Sequence, residues 1–193
     1  MFKELVDKSR SHREFKSEGV IPRERLEAWI LNASHSPAAM NLQTLKYKII
    51  DTPDGVAELV PITRWASSLS VKLPPEGHGP SAFIAICHDS SIAPMKPLFM
   101  IDVGIAAQTI MLSAAEDGFG GCIIGSAAYE KISEVLKLDS NFEPVLLLGL
   151  GIPEDNVVLT MADGSVTYYR DSNNVHYVPK RSLDEIIIDR YGR

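Results

Sequence analysis

The chain has 193 residues, 45% of them apolar and 23% charged, with 19 basic against 25 acidic side chains for a net charge of −6. That describes one soluble globular domain, long enough for a full core. It argues against nucleic acid as a partner, since cations that neutralise phosphate supply most non-specific affinity, and no apolar run is long enough to predict a bilayer span.

The first residues, "MFKELVDKSR", include Glu4 and Asp7 and no long apolar core. They do not read as a secretory signal, and the expected compartment is the cytoplasm. Residues 9–15, "SRSHREF", then set Arg10, Ser11, His12 and Arg13 side by side in an acidic protein. Planar guanidinium forks beside a hydroxyl suit a phosphate.

"IPRERLEAWILNAS" predicts a helix. Pro22 suits its first position, and Leu26, Trp29, Ile30 and Ala33 recur at helical spacing as one buried face. Pro37 should end it. In "SPAAMNLQT", Ala38 and Ala39 are small enough for a flat ligand to reach the backbone. Asn41 and Gln43 are expected on one side of an extended segment. "LKYKII" reads as a strand and "DTPDG" as a turn. Trp65 is expected to anchor a helix, and "LPPEGHGP" is a loop.

"SAFIAIC" predicts a buried strand. "PLFMIDVGIAAQTIMLSAAED" predicts a helix apolar almost all round, buried in a core or a subunit interface and ended by Gly118. "GGCIIGS" is a short strand between glycines, where a ligand ring could pack on main chain. "YEKISEVLKL" is an amphipathic helix through Ile132, Val135 and Leu136, and "EPVLLLGLGIP" is a central strand. "SVTYYR" predicts a strand and "DSNNVHYVP" an extended stretch. Ser182 and Glu185 form a capping box for a short final helix. Lys180 and Arg181 precede that helix, where backbone N–H groups favour an anion. Residues 102–165 hold ten acidic side chains against Lys131 and Lys137, so basic groups weigh at the two ends. Cys87 and Cys122 read as reduced core thiols, a disulfide being the lesser alternative.

Several chemistries are missing. There is no Walker-type phosphate loop, no G-x-S-x-G elbow and no metal-ligand spacing among the separated histidines 12, 35, 78, 88 and 176. "GFGGCIIG" and "GLGIPE" both fail the dinucleotide fingerprint at its third glycine. Taken singly, the basic ends read equally well as solvated turns, "SPAAMNLQT" as a connecting loop and "GGCIIGS" as an edge strand. The order of elements predicts an α+β or mixed α/β domain with a sheet flanked by helices.

Their succession is more specific. R-S-x-R, then S-P-A-A-x-N-x-Q, then D-x-G-x-A-x-Q-x-x-x-L-x-A-x-x-x-G, then G-x-x-I-G, then L-x-x-G-x-P resembles the nitroreductase family of flavin enzymes over roughly residues 5–190. The resemblance implies the α+β form with a mixed central sheet, as a single FMN-binding domain over 1–193. Residues 166–193 would extend onto the partner subunit of an intertwined homodimer with two FMN at the interface. Arg10, Ser11 and Arg13 would meet the phosphate, the ribityl chain and the N1/O2 edge of the ring. Pro37, Ala38, Ala39, Asn41 and Gln43 would reach the cofactor held mainly by the other subunit. Ile123, Ile124 and Gly125 would line the ring, and Lys180 and Arg181 would close on the phosphate. Ser9 stands where many members have a second Arg. Ala38–Ala39 and Thr44–Leu45 replace the family's hydroxyl or glycine residues and its Pro-Trp.

The implied reaction is hydride transfer from NADH or NADPH through flavin to a nitroaromatic, a quinone or a similar acceptor. No side chain is assigned as acid or base, and no metal. The alternatives are a dimeric flavin-binding module without catalysis, or a branch of the same fold with another flavin reaction.

Overall fold

The computed structural model describes residues 1–66, 69 and 71–188 and divides the chain into two compact units, Met1–Glu154 and Asp155–Arg193. The larger unit begins with α1 (Phe2–Lys8) and α2 (Arg23–Ser34). Strand β1 (Leu45–Ile50), helix α3 (Pro53–Leu59) and strand β2 (Ala82–Asp89) follow. Next come α4 (Phe99–Glu116), β3 (Gly120–Ile124), α5 (Tyr129–Val135) and β4 (Phe142–Gly151). The strands form one sheet in the order β1-β2-β4-β3, every ladder antiparallel. At the β3 edge of this sheet, a parallel bridge among the described residues joins Ser11 to Gly121. The α+β class is as the sequence predicts.

The pleat explains the layering. Alternate residues of a strand face opposite ways, so Ile84, Ile86, Leu148 and Leu150 pack against Leu26 and Trp29 of α2 and Val103, Ala107 and Ile110 of α4. Phe83, Ala85, Cys87, Cys122 and Leu147 face Leu59 of α3, Ile132 of α5, Phe15 and Trp65. β2 is buried throughout because helices cover both faces. α4 is long and apolar enough to cross a membrane by length and composition, yet Val103, Ala106, Ala107, Ile110 and Ala114 lie in the core against α2 and the sheet. Gly118, at φ +86°, takes the left-handed turn that follows α4.

Two expectations are corrected. "DTPDG" opens α3 rather than making a turn: Thr52 caps the helix by accepting from the Gly55 N–H at 3.3 Å, and Pro53 sits at its first position. Trp65 anchors no helix. The chain makes a short 3₁₀ turn at Val60–Ile62 and leaves it, while Trp65 is buried with its indole donating to Thr63 Oγ1 at 2.8 Å. Its ring meets Phe15 and Phe83 edge-on, and this packing outweighs local preference. Cys87 and Cys122 are free and buried, and burial pushes the Cys87 thiol up to about 11.

Asp89, at the end of β2, accepts from the Ser91 hydroxyl at 2.5 Å, the Asn141 amide at 3.0 Å and the Ser91 N–H at 3.0 Å. These bonds, those of Ser91 and Asn141 foremost, hold its carboxyl below the ordinary value. The stability it contributes is therefore complete above the unfolded value of about 4 and lost as pH falls through the lower folded one. Asp89→Asn should lower the melting temperature near neutrality and converge with wild type as pH falls through the folded value, as read from melting curves taken from neutral into acid. An offset that does not change with pH would contradict this.

The second unit holds β5 (Val157–Met161), β6 (Tyr169–Arg170), β7 (His176–Lys180) and α6 (Leu183–Ile186). β7 is central, parallel to β5 and antiparallel to β6. The predicted extended stretch is thus the middle strand of a small sheet, and Tyr169 stacks on Tyr177 at 5.1 Å. "SVTYYR" yields only the two residues of β6. The capping box is as read from the sequence: Ser182 Oγ accepts from the Glu185 N–H, whose carboxylate accepts from the Ser182 N–H. The short helix expected from that box ends at Ile186, and the rest of its quoted stretch beyond residue 188 lies outside the described residues.

Candidate functional site

The basic segment is laid along the edge of the sheet. β3 pairs with β4 on one side. On its other side the His12 N–H donates to the Gly121 carbonyl at 2.8 Å, and Ser11 bridges Gly121 in parallel. Glycine is required here, because a Cβ at Gly121 would lie 2.4 Å from the Gly149 carbonyl oxygen. One at Gly120 would lie 2.7 Å from the His12 ring. Since backbone groups of a strand alternate sides, Ile123 presents its N–H and C=O outward, two residues beyond Gly121. Sequence-distant residues 11–12 and 120–121 are thereby neighbours.

The side chains divide. Ser11 is exposed, and Arg13 turns one guanidinium nitrogen to the Ser11 carbonyl at 3.1 Å. Arg10 folds back, its Nη2 donating to the Val6 carbonyl of α1 at 2.5 Å. Its Nε is buried with no hydrogen-bond partner among the described residues. Ile123 is 40% exposed, whereas Ile124 points into the core on the opposite face. Gly125 is exposed, and nothing lies within 4 Å of where its Cβ would be. The Tyr129 hydroxyl, raised in pKa by burial, donates to the Ile124 carbonyl at 3.0 Å and fixes the end of β3.

The "SPAAMNLQT" segment packs instead against α4. Pro37, Ala38 and Gln43 line a cleft of about 170 Å³ with Thr44, Tyr47, Asp102 and Ala106. The expected extended run is corrected: Ala39–Asn41 is a 3₁₀ turn, and Met40, Asn41 and Gln43 take φ of 52°, 54° and 51°. Asn41 and Gln43 nonetheless meet, Gln43 Nε2 donating to Asn41 Oδ1 at 3.3 Å. Asp102, which heads the D-x-G-x-A-x-Q motif but has no role assigned from sequence, is buried and accepts from the Ala39 N–H at 3.0 Å with both oxygens. An acid inside an apolar helix was the available signal. Thr44, noted in the sequence only as a departure from the family's Pro-Trp, has a buried hydroxyl with no partner among the described residues.

Both segments are tied to α4, at different ends. Ser9 Oγ donates to the Met111 carbonyl at 3.4 Å, nine residues from Asp102. The anchors are therefore about 14 Å apart along the helix. Lys180 and Arg181 lie in the second unit: Lys180 ends β7 with its carbonyl accepting from the Ala162 N–H, and Arg181 pairs with Glu185 at 3.6 Å. Among the described residues there is no cluster of three or more His, Cys, Asp or Glu able to hold a metal.

A sheet covered by helices on both faces, with a basic segment paired to the edge of β3, defines an α+β protein. Residues 6–72 and 79–152 match the model of the nitroreductase family, and the chain belongs to that family. It is 25% identical over 190 residues to the protein named "Putative NAD(P)H nitroreductase YdgI" of Bacillus subtilis (strain 168), covering 80% of this chain and 89% of that one. The fold is also that of a nitroreductase family protein from Streptococcus pneumoniae TIGR4, with TM-score 0.71, 19% identity and coverage of 98% and 100%. A structure from Exiguobacterium sibiricum 255-15, solved in complex with FMN, matches at TM-score 0.68, with 22% identity and coverage of 80% and 89%.

Proposed function

We propose that this chain is an FMN-dependent oxidoreductase that draws a hydride from NADH or NADPH and reduces electron-poor acceptors such as nitroaromatics or quinones. The observation that carries the reading is the pairing of Ser11 and His12 with Gly121 at the start of β3, in a chain of the nitroreductase family. The solved relative in complex with FMN and the relative named for NAD(P)H support it.

The residues present suit a flavin nucleotide. Arg13 brings a cation and Ser11 a hydroxyl to the strand edge, the outward Ile123 N–H offers a donor, and Gly125 leaves the approach open. FMN, when bound, supplies the hydride chemistry. The chain's part is to place a positive charge where negative charge grows, to aim the Ile123 amide, and to cover the ring with the apolar face of Ile123. Arg10 shapes the segment from behind by binding the end of α1. Pro37–Gln43 serves the cofactor of a second copy, and the 14 Å offset along α4 (about nine residues of rise) agrees with that division. A homodimer would also cover Met100 and Ile101 of α4, which are exposed.

The test is the visible spectrum of freshly purified protein, followed by anaerobic titration with NADH and with NADPH. A yellow protein whose flavin bleaches is expected. Protein that is colourless and takes up no added FMN defeats the reading, and bound flavin that never bleaches favours a binding module instead.

A further inference from the structure

Asp102 is a buried carboxylate on an otherwise apolar helix, and charged side chains are seldom buried without a task. Its two oxygens both accept from the Ala39 N–H, at the head of the turn that bends Met40, Asn41 and Gln43 into left-handed conformations. Residues other than glycine rarely adopt that region, so the surroundings must hold the turn in place. Three residues of α4 provide the bed. Asp102 binds Ala39, Ala106 lines the same cleft, and Thr109 Oγ1 lies 3.1 Å from Ser36 Oγ. Spaced i, i+4 and i+7, they form one stripe of the helix. Asp102 also sits in the first turn of α4, where the helix dipole favours its negative charge.

We propose that Asp102 is a positioning residue for cofactor binding: through the Ala39 amide it locks residues 37–43 in the shape that receives the flavin nucleotide. This rests on the functional reading above. Neither Asp102 nor its bond touches the reacting atoms, so the loss is expected in cofactor affinity.

Asp102→Ala should weaken FMN binding by about tenfold or more, the worth of a hydrogen bond to a charged acceptor. Asp102→Asn keeps an oxygen for Ala39 and should recover most of the loss, whereas Asp102→Leu, which fills similar space without an acceptor, should not. Ala39→Pro removes the donor from the other side. It is tolerable because Ala39 opens the 3₁₀ turn after an extended Ala38. If Asp102→Ala fails to fold, Ala39→Pro carries the test. Affinity is read by flavin-fluorescence titration, with circular dichroism to certify the fold. The double variant should lose no more than the worse single one. Folded Asp102→Ala or Ala39→Pro protein with wild-type affinity, or strictly additive losses, overturns the proposal while leaving the functional reading intact. Wild-type protein that binds no FMN removes both.

Discussion

Replacing Arg13 with Ala is expected to release the flavin, weakening its binding by about ten- to hundredfold. Hydrogen bonds to charged groups are worth about 1.5–3 kcal/mol, and each 1.4 kcal/mol is tenfold in affinity. The guanidinium is held at the strand edge by its contact with the Ser11 carbonyl, and Ser11 is in turn bridged to Gly121. It therefore meets a ligand with little ordering left to do. Lysine would keep the charge but lose the planar fork, and Arg13→Lys should fall between wild type and Arg13→Ala. Arg23→Ala is the control, because Arg23 pairs on the surface with Asp51 and Glu27 in another part of the unit. Flavin occupancy of the purified variants, read from the visible spectrum against protein concentration, decides. Equal occupancy in Arg13→Ala and wild type would remove Arg13 from the site.

Gly121→Ala should be the most damaging single-methyl change, lowering stability by about 3 kcal/mol, at the upper end for overpacking. The added carbon would lie 2.4 Å from the Gly149 carbonyl oxygen and 2.8 Å from Leu150 Cδ2. Leu150 could give way, but the oxygen belongs to the central strand and cannot. β3 would have to move off β4, taking the His12 N–H bond to the Gly121 carbonyl with it. Stability and flavin binding should therefore fall together. For a chain of this size the melting temperature should drop by roughly 6–12 °C. Gly125→Ala, where a methyl meets nothing within 4 Å, should melt like wild type. A Gly121→Ala protein that also melts like wild type would mean that the close strand approach is not rigid.

Much of this was legible in the sequence because it is written in periods and punctuation. The face of Leu26, Trp29 and Ala33, the buried run of β2, the left-handed Gly118 and the Ser182–Glu185 box each depend on neighbours a few residues away. What was misread depended on distant groups. Trp65 leaves the helical conformation because Phe15 and Phe83 hold its ring. Asn41 and Gln43 leave the extended one because Asp102, some sixty residues on, takes the Ala39 amide.

The same division runs through the site. The sequence by itself determined which residue types are available: cations and a hydroxyl at 10–13, small residues at 38–39, glycines around Ile123. Charge, size and backbone freedom belong to each residue wherever it is placed. Only the tertiary structure decided that Ser11 and His12 pair with Gly121 of β3, that Arg10 turns back to α1 while Arg13 meets the Ser11 carbonyl, and that Ile123 is exposed while Ile124 faces the core. The physical reason is that strand pairing and the pleat set these directions, and pairing is a contact between segments about a hundred residues apart that no local pattern encodes.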